Sequence, residues 1–180
     1  AGAETLGART VTTSQYLLRP VNPAFIALTF VLAFLINLMP WGETLWIPDV
    51  VALVLVFWNI HQPRKVGMGV AFLLGLLMDV HDARLLGEHA LAYTLLAYFA
   101  ITIHRRVLWF SVYAQALHVL PLLFIAHAVP VVIRLAMGAP LPGWQLLLAP
   151  VIEAVLWPMA TSLLLAPQRR SNEVDETRPI

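Results

Sequence analysis

The 180-residue chain contains no cysteine, which excludes disulfides and thiolate chemistry and leaves no redox signature of its compartment. Charge is scarce too: 12% of residues are Asp, Glu, Lys or Arg, against 60% hydrophobic ones. With a mean hydropathy of +0.80, that balance excludes an ordinary soluble domain and implies an integral membrane protein. The formal charge of +1 says little about partners, because in a membrane chain the placement of basic residues matters more than their sum. No cleavable-signal pattern is expected in residues 1–15, which are small and polar. GxGxxG, P-loop, HExxH and GxSxG patterns are lacking, and no serine stands beside a histidine as an activated nucleophile would.

What the chain does have is a central pair of apolar segments, from Gly67 to Tyr98, joined by a short charged connection that carries a glycine. Gly67, Ala71, Gly75 and Asp79 recur every four residues, so on a helix they form one stripe, small for most of its length and ending in a carboxylate. In lipid, small residues let helix backbones approach closely and polar groups add hydrogen bonds. The hairpin is therefore expected to be the contact core of a membrane bundle.

In chain order, the apolar segments run about 24–39, 46–60, 66–78, 89–103, 107–135 and 144–165. Pro48-Asp49 suits the first turn of the second helix. Pro121 and Pro130 interrupt the fifth segment, and Pro150 and Pro158 the sixth. A straight span needs roughly 20 apolar residues, so the early runs must borrow flanking turns or sit in a thin, irregular bundle. The expected architecture is an all-α, six-helix transmembrane bundle. Residues 1–21 form a polar N-terminal segment, 22–166 the six-span domain and 167–180 a polar, disordered tail.

The basic residues orient it. Arg9, Arg19, Arg64, Lys65, Arg105, Arg106, Arg169, Arg170 and Arg178 fall on one side, whereas Arg84 and Arg134 fall on the other. The positive-inside rule then puts both termini in the cytoplasm and the loops near Glu43, Arg84 and Gly138 outside. Trp41, Trp46, Trp109, Trp144 and Trp157 mostly lie near segment ends, as an aromatic belt would place them.

Two groups could carry chemistry. Asp79, His81, Asp82, Glu88 and His89 crowd the outer connection of the central hairpin, where they could ligate a divalent metal, although their spacing matches no metal motif. The competing assignment is a set of solvated charges and helix caps, with Asp79 receiving backbone donors or pairing with Arg84. Within the membrane stand Glu153, His118 and His127, each costing at least about 2 to 3 kcal/mol if left charged and unpaired. Helical rise puts Glu153 about nine residues from the outer side and His118 about eleven from the inner side, both near mid-depth. Gln115 shares a face with His118, whereas His127 points the opposite way on a straight helix. Gln115, His118 and Glu153 are thus the expected buried polar residues. Glu153 is either a bundle-locking hydrogen-bond partner, protonated or not, or a transport or proton-relay group.

Pro48-Asp49, the run FWNIHQPRKVGMGVAFLLGLLMD from Phe57 to Asp79 and LLGEHALAYTLLAY from Leu85 to Tyr98 together resemble the bacterial MreD family of rod shape-determining proteins, in particular its proteobacterial form. The resemblance covers residues 22–165 and rests on GLLxD, LG and AYxxxAY arriving with the right spacing. It implies a non-enzymatic component of the inner-membrane elongation machinery, with no cofactor and no nucleic-acid partner. Such a protein binds the single-span protein MreC. It works beside the actin-like MreB, the glycosyltransferase RodA and a class B penicillin-binding transpeptidase in peptidoglycan synthesis. Carried onto this chain, the matching positions are Pro48, Asp49, Gly75, Asp79, Gly87, Tyr93 and Tyr98, as partner-contact or packing residues.

Three functions of different class follow. A scaffold would dock a partner's transmembrane helix on the stripe Gly67, Ala71, Gly75 or on a lipid-facing surface nearby. The resemblance also extends in layout to the substrate-binding components of energy-coupling-factor vitamin transporters, and such a subunit would need an outward cavity lined by Asp79, His81 or Glu88. An intramembrane enzyme would need a nucleophile or a metal triad at depth, where the sequence supplies Glu153 and a histidine of uncertain position.

Overall fold

The computed structural model describes residues 21–40, 47–83 and 85–168. Those residues form six α-helices and no strand: α1 (Pro23–Asn37), α2 (Val50–His61), α3 (Met68–His81), α4 (Glu88–Val107), α5 (Val112–Ala136) and α6 (Leu148–Leu165). A 3-10 turn at Trp144–Leu147 leads into α6 and another at Ala166–Gln168 follows it. The 1–20 leader, the Trp41 and Trp46 positions, Arg84 and the tail from 169 lie outside the described residues.

Helix starts follow local chemistry. Asn22 caps α1, its side chain accepting from Ala24 N at 3.0 Å, and Pro23 occupies the first helical position, where a missing N–H is harmless. Asp49 caps α2 by accepting from Ala52 N at 3.0 Å, directly after Pro48. Neither Pro121 nor Pro130 breaks α5, which runs 25 residues, about 37 Å at helical rise.

α2 is the hub. Every residue from Val51 to Ile60 is buried, as expected of a helix that is apolar all round. It packs against α1, α4, α5 and α6, while α4 also carries α3 on one side and α5 on another. α3 is thus an edge helix, buried along Ala71, Gly75, Met78 and Asp79 and exposed along Phe72, Leu73, Leu77 and Val80.

By length and apolarity, α5 and the helical run 144–168 can cross a bilayer; α1, α2 and α3 are apolar but shorter. Trp109 and Trp144 are exposed near helix ends. Trp157 departs from the belt expectation. It is fully buried in α6, where its Nε1–H points at Gln115 Oε1 of α5 at 3.4 Å. An indole is mostly apolar surface, so one polar partner is enough to take it into a core.

Candidate functional site

At the end of the bundle opposite Arg64, Lys65, Arg105 and Arg106, polar side chains from five helices converge on the start of α2. Asp49 stands at the centre. Its Oδ1 accepts from Ala52 N of its own helix and from Asn37 Nδ2 of α1 at 2.8 Å, while Asn37 Oδ1 accepts in return from Val50 N at 3.1 Å. Asp49 Oδ2 accepts from the buried Tyr93 hydroxyl of α4. The backbone N–H of Asp49 donates to Glu153 Oε1 of α6 at 2.7 Å, and His127 Nε2 of α5 lies 3.1 Å from the same oxygen.

This arrangement answers the problem posed by a helix start in an apolar bundle. The first N–H groups of α2 have no intrahelical acceptor, and burying them unpaired is costly. Asp49, Asn37 and Glu153 each take one. Two carboxylates at a helix N-terminus also meet the partial positive charge of its macrodipole. Glu153 Oε2, by contrast, is buried without a hydrogen-bond partner.

A second knot closes the α3–α4 connection. Asp79, fully buried in the last turn of α3, accepts at Oδ2 from Gly87 N (2.8 Å) and Ala90 N (3.3 Å). At Oδ1 it accepts from His89 N (2.8 Å) and His89 Nδ1 (2.9 Å). Gly87 stands at the N-cap of α4 and has no side chain to cap with, so Asp79 does that work from the neighbouring helix. Gly87 sits at φ +112°, a left-handed conformation that favours glycine. Glu88 is buried and pairs with Arg134 of α5, its Oε2 3.0 Å from Nη2.

Gly75 explains why the two helices meet so closely. A Cβ there would collide with the backbone of α4 at His89 O, Ala90 N and Ala90 Cα. The buried part of the stripe, Ala71, Gly75 and Asp79, therefore faces α4 of the same chain. Gly67 is half-buried and has nothing within 4 Å of where its Cβ would be. Tyr98 is exposed, edge-on to Phe99. Pro48 is half-buried beside Asp49.

The deeper polar residues divide differently from the sequence expectation. Gln115 is buried and bridges Phe110 O (Nε2, 3.0 Å) and Trp157. His118 is half-buried near the start of α5, bonded to Ala114 O at 2.8 Å and stacked on Phe110, far from Glu153 in its contacts. The histidine that meets Glu153 is His127. α5 begins at Val112 rather than Val107, so both histidines sit nearer its start than a continuous run suggests. Asn37, which the sequence did not single out, closes an apolar run, and a terminal Asn reads as a helix end. Its signal was the second half of a pair, Asn37 with Pro48-Asp49, twelve residues apart at Asp49.

Between the two knots lies a cavity of about 570 Å³, reached by Asn37, Asp49, His81, Asp82, His89, Tyr93, His127 and Arg134 together with apolar side chains. Among the described residues no three His, Asp or Glu side chains converge as metal ligands.

The family model described as rod shape-determining protein MreD matches residues 19–166. A relative from Haemophilus influenzae with that same description is 30% identical over 143 residues, spanning 78% of this chain and 88% of its own. No solved structure matches the chain.

Proposed function

Because the chain belongs to the MreD family of rod shape-determining proteins, we propose that it is a non-enzymatic, multi-pass scaffold of the bacterial inner membrane. In this reading it binds MreC helix to helix and helps organise peptidoglycan synthesis together with MreB, RodA and a class B penicillin-binding transpeptidase. Membership of the family carries the membrane location and the role in cell shape. The finer topology, six spans with both termini cytoplasmic, is supported by Arg64, Lys65, Arg105 and Arg106 lying at one end of the helices and Arg134 at the other. Transport gains no support from either comparison.

The observation that carries the docking part is how unevenly α3 is used. Its small, polar side is occupied by α4, whereas Phe72, Leu73, Leu77 and Val80 are exposed on the far side. α1 likewise exposes Leu28, Val31, Leu32 and Leu35. These apolar flanks can receive lipid or one further transmembrane helix, and the helix proposed here is that of MreC.

The cysteine-free chain makes a clean test. Single cysteines at Leu73 (α3), Leu32 (α1) or Val155 (the exposed face of α6) are paired with single cysteines along the MreC span and oxidised in membranes. Crosslinks from Leu73→Cys or Leu32→Cys without any from Val155→Cys are the expected result. Crosslinking from Val155→Cys alone would overturn the assignment of the face.

A further inference from the structure

We propose that the corner between α4 and α5 binds the phosphate of an anionic phospholipid through Arg105 and Arg106, with Trp109 at the level of the headgroup. The inference rests on the membrane location proposed above and not on MreC binding.

Charge is divided between the two ends of the bundle. Asp49, Asp79, Asp82, Glu88 and Glu153, the acidic residues among those described, all belong to the end that holds the start of α2 and the α3–α4 connection. Arg64, Lys65, Arg105 and Arg106 stand at the other. Arg134 has a protein partner, its Nη2 3.0 Å from Glu88 Oε2. Arg105 and Arg106, exposed in the last turn of α4, have no hydrogen bond or ion pair among the described residues. Residues 169–180 bring no excess of negative charge, because Arg169, Arg170 and Arg178 balance Glu173, Asp175 and Glu176. The counter-charge for this corner therefore has to come from outside the chain.

Position identifies its source. α5 starts directly after the corner and is about 37 Å long, against about 30 Å of hydrocarbon, so its first turn reaches headgroup depth. There Trp109 is 90% and Tyr113 80% exposed, as rings with an apolar body and a polar tip are at a membrane interface. Leu117 and Pro121 follow Tyr113 at four-residue steps and are exposed too, an apolar track for an acyl chain. The turn itself is fixed from within. Gln115 Nε2 donates to Phe110 O at 3.0 Å, and the His118 ring stacks on that of Phe110 with centroids 4.5 Å apart.

A phosphodiester offers two anionic oxygens to the paired N–H donors of a guanidinium. A zwitterionic headgroup carries its own ammonium, which cancels much of that attraction. An acidic protein segment would meet the arginines but give the Trp109 ring and the track along α5 nothing to do.

Native mass spectrometry of the full chain released from detergent micelles tests this, with dioleoylphosphatidylglycerol and dioleoylphosphatidylcholine competing at equal concentration. Preferential retention of phosphatidylglycerol is expected, weakened about fivefold by Arg105→Gln or Arg106→Gln and about twentyfold by both together. Arg64→Gln, outside the corner, should change it by less than about twofold. Both corner arginines are exposed and bonded to no described residue, so the double variant should keep the fold, which circular dichroism checks. Equal retention of the two lipids by the unaltered chain, or unchanged phosphatidylglycerol retention in the double variant, would overturn the proposal. So would an equal loss in Arg64→Gln, or displacement of the lipid by polyglutamate, which would assign the corner to an acidic protein segment. The MreC crosslinks use none of these residues, so the two readings fail separately.

Discussion

The backbone amide of Asp49 donates to the Glu153 carboxylate at 2.7 Å, joining the first turn of α2 to α6 across 104 residues of sequence. Around that bond the other helices are attached one side chain at a time. Asn37 brings α1 to Asp49, Tyr93 brings α4, and His127 brings α5 to Glu153. α3 is tied to α4 separately through Asp79. Each tie is worth little more than about 1 kcal/mol in a membrane protein, since the unfolded chain in lipid also finds partners. Their convergence on two carboxylates makes them interdependent, so removing one carboxylate orphans several donors at once.

Asp49→Ala should therefore be far worse than an ordinary cap deletion. It removes the α2 cap, typically about 1 kcal/mol, and leaves the buried Tyr93 hydroxyl and the Asn37 amide unpaired at about 1 to 3 kcal/mol. Asp49→Asn keeps one acceptor oxygen and should lose roughly half as much, while Tyr93→Phe should lose about 1 kcal/mol. Unfolding in mixed micelles ranks the three variants. An Asp49→Ala protein as stable as Tyr93→Phe would show that the ties are not coupled.

Gly75 and Gly69 lie on the same helix and predict opposite outcomes. A methyl at Gly75 meets the α4 backbone, which cannot rotate away as a side chain can, so Gly75→Ala should destabilise by about 1 to 3 kcal/mol. Gly69 has nothing within 4 Å of a built Cβ, and Gly69→Ala should be neutral or stabilising by about 0.5 to 1 kcal/mol through helix propensity. Thermal inactivation of the two purified variants checks this. Equal behaviour would mean that α3 and α4 are less tightly apposed than described.

How much of this could be read in the sequence depends on distance along the chain. The start of α2 at Pro48-Asp49 was legible because helix-start chemistry is local, and the four-residue rhythm of Ala71, Gly75 and Asp79 revealed a packing face because helical periodicity is local as well. Which helix would fill that face was not legible. The split between α4 and α5 was legible at His104-Arg105-Arg106, but α4 continues through them to Val107 and α5 begins only after Ser111, a boundary that no proline or glycine marks. From that displaced boundary came the depth assigned to His118. The Glu153 partner depended on the rotation of two whole helices about their axes, and no short pattern encodes a contact between them.

Asp79 should behave as a displaced helix cap. Asp79→Asn replaces one oxygen by an NH2 group that faces two backbone donors, a loss of about 1 to 3 kcal/mol, and Asp79→Leu removes all four contacts and should lose more. The specific readout is hydrogen exchange. The amides of Gly87, His89 and Ala90 should exchange faster in both variants, with the middle of α4 little affected. Restoration of either variant by zinc or magnesium would instead point to metal ligation.

Gly87 completes the same cap, and its tolerance can be derived from its backbone alone. At φ +112° an L residue is strained, and nothing lies within 4 Å of where a Cβ would sit, so the expected penalty is conformational rather than steric. Gly87→Ala should cost about 1 to 2 kcal/mol, and Gly87→Asn less, because Asn accepts the left-handed region more readily. Gly87→Pro should be the most damaging, since it adds the loss of the N–H that Asp79 accepts at 2.8 Å and fixes φ at the wrong sign. Measured stabilities in the order Asn, Ala, Pro, from best to worst, would establish that the turn is held by backbone geometry together with Asp79. A Gly87→Pro protein as stable as Gly87→Ala would show that the Gly87–Asp79 hydrogen bond contributes nothing to the hairpin.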